Sequence, residues 1–230
     1  MRFLSKIELK RGRDLKELAG AIPKNAYAEH QALWRLVGAE GGAARNFLYR
    51  REQIGHWPAY YILSSQEPAP SYGPWEIKTK PFSPKLAAGQ RLGFVLRANP
   101  VRTTKVSSDP DDKRRKRHDV IMHAKCLERD EKPDPAHRRG QSQLVQEAGP
   151  QWLEERAELA GFALEALHVD DYRQHRLVKR GQTQPIRFST LDYQGILRVL
   201  DVDRFLTTLH QGLGPAKAFG CGLLLVRRAS

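Results

Sequence analysis

Two groups of short apolar stretches, separated by a strongly polar, proline-bearing middle, limit what this chain of 230 residues can fold into. Where apolar and polar residues alternate, one face of a pleated strand is buried. Phe3, Ser5, Ile7 and Leu9 share such a face, so 3–9 reads as a strand. Residues 45–52 and 59–64 read as two more, punctuated by Gly55 and Pro58. In 90–98, Leu92, Phe94 and Leu96 alternate with Gly93, Val95 and Arg97, and Asn99-Pro100 ends the run. Helical spacing appears at 26–37, with Asn25 as N-cap and Gly38 as stop. The segment 68–84, with Pro68, Pro70, Pro74, Pro81 and Pro84, reads as surface chain.

The middle changes character. Residues 107–117 and 130–140 are too polar to bury much surface, which predicts a mobile linker. Packing resumes with a helix over 151–161 and a strand over 162–169. Segments 172–179 and 184–191 flank Arg180-Gly181-Gln182-Thr183 as a β-hairpin. A strand at 195–200, a helix at 203–210 and a strand at 223–227 follow. Strands mixed with one or two helices in each half define an α+β chain compatible with a pair of βαββαβ units. The expected division is 1–98, a polar and basic linker at 99–140, and 141–230.

Charge narrows the partner. Lysine and arginine outnumber acids 39 to 26, giving +13, and a field of that size favours polyanions, chiefly nucleic acid. No apolar run approaches the roughly 20 residues that span a bilayer, and the first residues lack the apolar block of a signal peptide. The expectation is a cytoplasmic protein with no membrane partner. Cys126 and Cys221 lie far apart, in no C-x-x-C pair. His118, His123 and Cys126 cluster but lack a fourth ligand, so neither a metal nor another cofactor is expected.

Three features could carry chemistry. On the first long helix, Tyr27 and His30 fall on one face, three positions apart. The imidazole is either a half-buried core residue or a group exchanging a proton near neutral pH. In the run 212–222, Gly212, Gly214, Gly220 and Gly222 imply unusual backbone angles or a close approach. That run is either a tight turn or a phosphate cradle completed by Lys217, and it fits neither a Walker loop nor a dinucleotide fingerprint. The basic residues fall in two groups, Lys113, Arg114, Arg115, Lys116 and Arg117, and Arg173, Arg176, Lys179, Arg180 and Arg187. Each is either a solvated face or a phosphate-gripping surface.

Four segments resemble one family in the right order: His30-Gln31-Ala32-Leu33-Trp34-Arg35-Leu36, Leu96-Arg97-Ala98-Asn99-Pro100, Lys116-Arg117-His118-Asp119-Val120, and the glycine-rich run to Leu224. The chain is similar to the CasE-type endoribonucleases of type I-E CRISPR systems. The resemblance implies two tandem ferredoxin-like (RRM-like) domains. It also implies metal-independent cleavage of precursor CRISPR RNA at the 3′ base of the repeat stem-loop, with the product retained alongside other Cascade subunits. His30 falls on the family's catalytic histidine and Tyr27 on its active-site tyrosine. Gln184 stands where the family carries a helping lysine, and Arg187 lies three residues on. The alternative is a non-catalytic RNA-binding subunit of a ribonucleoprotein complex.

Overall fold

A computed structural model describes residues 1–10, 12, 15–23, 25–37, 47–105, 115–178 and 184–229. The first half contains β1 (Phe3–Leu9), α1 (Leu15–Ala21), α2 (Ala26–Leu36), β2 (Phe47–Ile54), β3 (Trp57–Ser64), β4 (Ser71–Tyr72) and β5 (Trp75–Pro81). They form one antiparallel sheet in the order β2-β3-β1-β5-β4. Without the two-residue β4, this is the strand order of a ferredoxin-like unit, with α2 crossing from β1 to β2. As expected, Asn25 caps α2: its side chain accepts from the Ala28 N–H at 2.9 Å. Leu33, Leu36 and Val37 of this helix region pack on Ile7, Phe47, Tyr60, Ile62 and Ile77 of the sheet.

β5 corrects the expectation of a surface segment. It pairs with β1 along its whole length, with Trp75 and Ile77 buried and Glu76 and Lys78 exposed. Pro74 precedes the strand and Pro81 ends it, so the prolines bracket a period-two pattern without interrupting the ladder.

The second half adds β6 (Arg91–Ala98), β7 (Val101–Lys105), β8 (Arg115–Asp119), α3 (Val120–Glu131), α4 (Gln141–Ala157), β9 (Phe162–Leu177), β10 (Ile186–Val199), α5 (Val202–Gln211) and β11 (Leu224–Arg228). The second sheet runs β11-β6-β10-β9, again the ferredoxin-like order, and β7 and β8 form a separate hairpin. Its core gathers Leu92, Phe94 and Leu96 of β6 with Trp152 and Leu153 of α4 and Phe205 and Leu209 of α5.

Strand pairing moves the expected boundary after residue 98. β6 lies between β10 and β11 and so opens the second unit. Alternation identifies a strand but carries no information about its partner. The expected linker also changes: residues 115–119 form a strand and 120–131 a helix. The carboxylate of Asp119 caps α3 by accepting from Met122 N–H at 2.8 Å. Glu128 takes Arg139 and Lys132, offsetting the low apolar content of this stretch. α4 starts at Gln141, earlier than the expected 151, and runs through Pro150. β9, expected as two strands, is one, with irregular pairing near its middle where Asp171 adopts φ 58°.

The two units touch through Leu48 and Leu63 of the first sheet and Leu223 of the second unit, with Leu4, Tyr61, Phe82 and Leu225 packed around them. Arg97 of β6 grips Asp192 of β10 with two hydrogen bonds, at 2.8 and 2.6 Å, and donates to the Arg51 carbonyl of β2 at 3.3 Å.

Candidate nucleic-acid interface and active site

Helix α2 carries Tyr27 and His30 one turn apart, both half-buried. The His30 ring lies 5.8 Å from Phe47 in a stacked arrangement and 5.4 Å from Trp34 edge-on, with Nδ1 buried. The Tyr27 hydroxyl accepts from Gln31 Nε2 at 3.0 Å. The neighbouring Glu29 is buried, and there it accepts from Arg51 and from the Tyr60 hydroxyl. Burial pushes its carboxyl pKa up, although Arg51 opposes the shift. This contact fastens α2 to β2 and β3 at the residue next to His30.

The glycine-rich run is a closed loop with a short helical turn, Lys217–Phe219, at its tip. All four expected glycines have positive φ, as does Ala216. At the neck, Leu213 N–H donates to the Gly222 carbonyl at 2.9 Å, and Gly222 N–H donates to the Arg97 carbonyl at 2.7 Å. A Cβ on Gly212 would meet the Gly222 carbonyl at 2.7 Å, so both the angles and the close approach require glycine there. Inside the loop, burial raises the Cys221 thiol to about 12, which makes it an inert core group. The Tyr49 hydroxyl of β2 donates to the Ala218 carbonyl at 3.2 Å, and the turn packs against α2.

On its other side the same turn meets the basic hairpin. Phe219 stacks on Phe188 of β10, with centroids 4.8 Å apart, and Phe188 stacks on His175 of β9 at 4.6 Å. A cavity of about 830 Å³ opens here, lined by Arg117 of β8, Arg176 and Arg187 of the hairpin, these three rings and Pro215. Among the described residues, none of those three exposed guanidinium groups has a carboxylate partner. Asp119 also lines the cavity, but its oxygens are taken by Ser189, Tyr172 and the α3 N-terminus. Asn99 completes this knot by donating to the Ser189 carbonyl at 2.7 Å. The first unit's helix and the second unit's hairpin therefore converge on one glycine-rich turn.

The expected residues divide accordingly. Arg117, Arg176 and Arg187 come together at the cavity, and Lys217 sits half-buried in the adjoining turn. Lys116 is exposed on the same strand as Arg117, and Arg115 opens that strand. Arg173 instead pairs with Asp171 at 2.6 Å, so its charge is already engaged. Lys113, Arg114, Lys179 and Arg180 lie outside the described residues. Gln184 is exposed. Among the described residues no group of three or more histidine, cysteine or acidic side chains could hold a metal; His118 and His123 have centroids 5.9 Å apart, and Cys126 is exposed. None of the described helices is long and apolar enough to cross a membrane. Sequence reasoning missed the His175–Phe188–Phe219 column and gave Asn99 and Asp119 no part. The two motifs containing the latter were the only hint, and nothing local announces a stack built from three segments.

Two ferredoxin-like units meeting at a glycine-rich loop, with a cationic cavity between that loop and the second unit's hairpin, define the class: a tandem ferredoxin-like protein shaped for a polyanion. Residues 2–228 match the family described as CRISPR associated protein, and the chain belongs to that family. It is similar to the CRISPR system Cascade subunit CasE of Escherichia coli K12, with 30% identity over 210 residues, covering 90% of this chain and 94% of the relative. The CRISPR-associated endoribonuclease Cse3 of Thermus thermophilus is 31% identical over 157 residues, 64% of this chain and 60% of the relative. A solved structure of Thermus thermophilus Cse3, bound to an RNA representing a pre-cleavage complex, superposes with a TM-score of 0.69 at 28% identity, covering 98% of each chain. The family and the fold expected from the four motifs are those found.

Proposed function

We propose that this chain is an endoribonuclease that cuts the stem-loop repeat of precursor CRISPR RNA and stays on its product in a Cascade-type complex in the cytoplasm. The observation that carries the reading is the shared turn: Lys217–Phe219 touches both the helix bearing Tyr27 and His30 and the hairpin bearing Arg176 and Arg187. The His30 helix and a set of arginines with no carboxylate partner among the described residues thus flank one turn. The Cse3 relative is named an endoribonuclease and the CasE relative a Cascade subunit, which supports the activity and the assembly respectively.

The chemistry uses a nucleophile that the RNA supplies. The 2′-hydroxyl beside the scissile phosphate attacks phosphorus once aligned in line with the leaving oxygen. Its proton leaves to a base, the P–O5′ bond breaks, and the 5′ oxygen takes a proton. The products are a 2′,3′-cyclic phosphate and a 5′-hydroxyl. His30 exchanges the proton at one reacting oxygen while Tyr27 positions or serves the other, a contribution of roughly 10² to 10⁴-fold. Arg187, near the position where Gln184 replaces the family's lysine, stabilises charge developing on the phosphate. Arg117 and Arg176 hold the RNA backbone. This route requires no metal.

Replacing the attacking 2′-hydroxyl with hydrogen should abolish cleavage while binding persists, and continued cleavage of that RNA would refute the mechanism. A second reading, a non-catalytic RNA-binding subunit, draws on the packing of His30 against Trp34 and Phe47, which suits a core histidine. His30→Ala separates the two: lost cutting with retained binding supports the nuclease, whereas joint loss of both supports a structural ring.

A further inference from the structure

Three aromatic rings from three chain segments form one column beside the arginines. His175 and Phe188 face each other across β9 and β10 with their planes 12° apart, and Phe188 and Phe219 are 15° apart. Each ring is half-buried, and none belongs to the hydrophobic clusters that form the two cores and their junction. The column instead lines the cavity that also holds Arg117, Arg176 and Arg187. Burial holds the His175 pKa below its usual range, and Arg97 and Arg173 push it the same way against Asp171. At neutral pH the ring is therefore an uncharged aromatic surface, held by its Nε2 contact with the Thr190 hydroxyl at 2.9 Å. Aromatic side chains set in a cationic groove are what single-stranded nucleic acid stacks upon.

We propose that the Phe219 end of this column is a nucleobase-stacking site that receives an unpaired base adjoining the scissile phosphate. This rests on the endoribonuclease reading above. The Phe219 end is assigned because its turn packs against α2, the helix of Tyr27 and His30. The base must be unpaired because a base inside an A-form stem already has both faces covered, whereas a splayed one presents a free face. Stacking tolerates any base, so the site selects for an unstacked nucleotide at the cut and not for a particular letter. A base held there would pin the nucleotide while the arginines grip the flanking backbone.

The test uses a repeat RNA made uncleavable by a 2′-deoxy substitution, with the base removed in turn from each nucleotide flanking the cut. One removal should weaken binding to the unmodified protein on the order of tenfold. Phe219→Leu should weaken binding of the intact RNA by a similar factor and then be indifferent to that removal, while Phe219→Tyr behaves like the unmodified protein. 2-Aminopurine at the sensitive position should be quenched on binding to the unmodified protein and to Phe219→Tyr, but not to Phe219→Leu. The proposal is overturned if no removal matters, or if the penalty is the same with and without the ring. Should Phe219→Leu fail to fold, the base-removal scan and the quenching on unmodified protein decide, and absence of either rejects the site. If the unmodified protein does not bind repeat RNA at all, the endoribonuclease reading falls instead.

Discussion

Gly222→Ala should cost this protein about 3–4 kcal/mol of stability, and the sum can be worked from the neck of the glycine-rich loop. Gly222 adopts φ +91°, and a Cβ there would lie 2.8 Å from the Leu213 carbonyl oxygen and 3.3 Å from Cγ of Lys217. The left-handed backbone alone costs an L-residue roughly 1–2 kcal/mol. The clash falls on a backbone carbonyl, which moves only if the neck opens, and that strains the Gly222–Arg97 and Leu213–Gly222 hydrogen bonds. Each is worth about 1 kcal/mol. At roughly 2–4 °C per kcal/mol for a chain of this size, Tm should drop by about 10 °C. Gly89→Ala is the control, because Gly89 has φ +80° but nothing within 4 Å of an added Cβ, so it carries only the backbone strain. Urea unfolding followed by circular dichroism should separate the two variants by about 2 kcal/mol. Equal unfolding midpoints would refute the argument that the neck is closed tightly enough to set the Lys217–Phe219 turn. Cleavage of repeat RNA should fall with Gly222→Ala well beyond its fall with Gly89→Ala.

Two further outcomes follow from charge. The raised carboxyl pKa of Glu29 means that its contribution to stability is complete below its ordinary 4.5 and is lost as pH rises through the folded value. Thermal melts of Glu29→Gln should therefore gain on the unmodified protein between pH 4.5 and pH 7, and a gap that is constant or shrinks would contradict the burial argument. Arg187→Gln should flatten the dependence of log K on log salt for repeat-RNA binding by roughly 0.7–0.9, one phosphate contact. Arg173→Gln should flatten it less, because Asp171 already holds that charge; equal changes would place the RNA elsewhere.

Local pattern served well where an element's identity depends on its own residues. α2 follows from Asn25 and the spacing behind it, β6 from the alternation of Leu92, Phe94 and Leu96, and the unusual loop from its glycines. It failed where partners compensate. α3 fell inside the expected polar and basic linker, yet it is a helix whose Glu128 is satisfied by Arg139 and Lys132, which arrive from beyond it. β5 was hidden by Pro74 before it and Pro81 at its end, neither of which interrupts the ladder with β1.

Composition and four motifs, read from the letters alone, determined the chain's affinity for polyanions, its fold class, its family, and Tyr27 and His30 as the residues to watch. Only the folded chain decided that β6 opens the second unit, that Arg173 is engaged while Arg176 and Arg187 have no carboxylate partner among the described residues, and that Phe219 joins the helix to the hairpin. The reason is physical: strand and helix periods are written in neighbouring residues, whereas strand partners, ion pairs and ring stacks depend on distances between segments that only packing brings together.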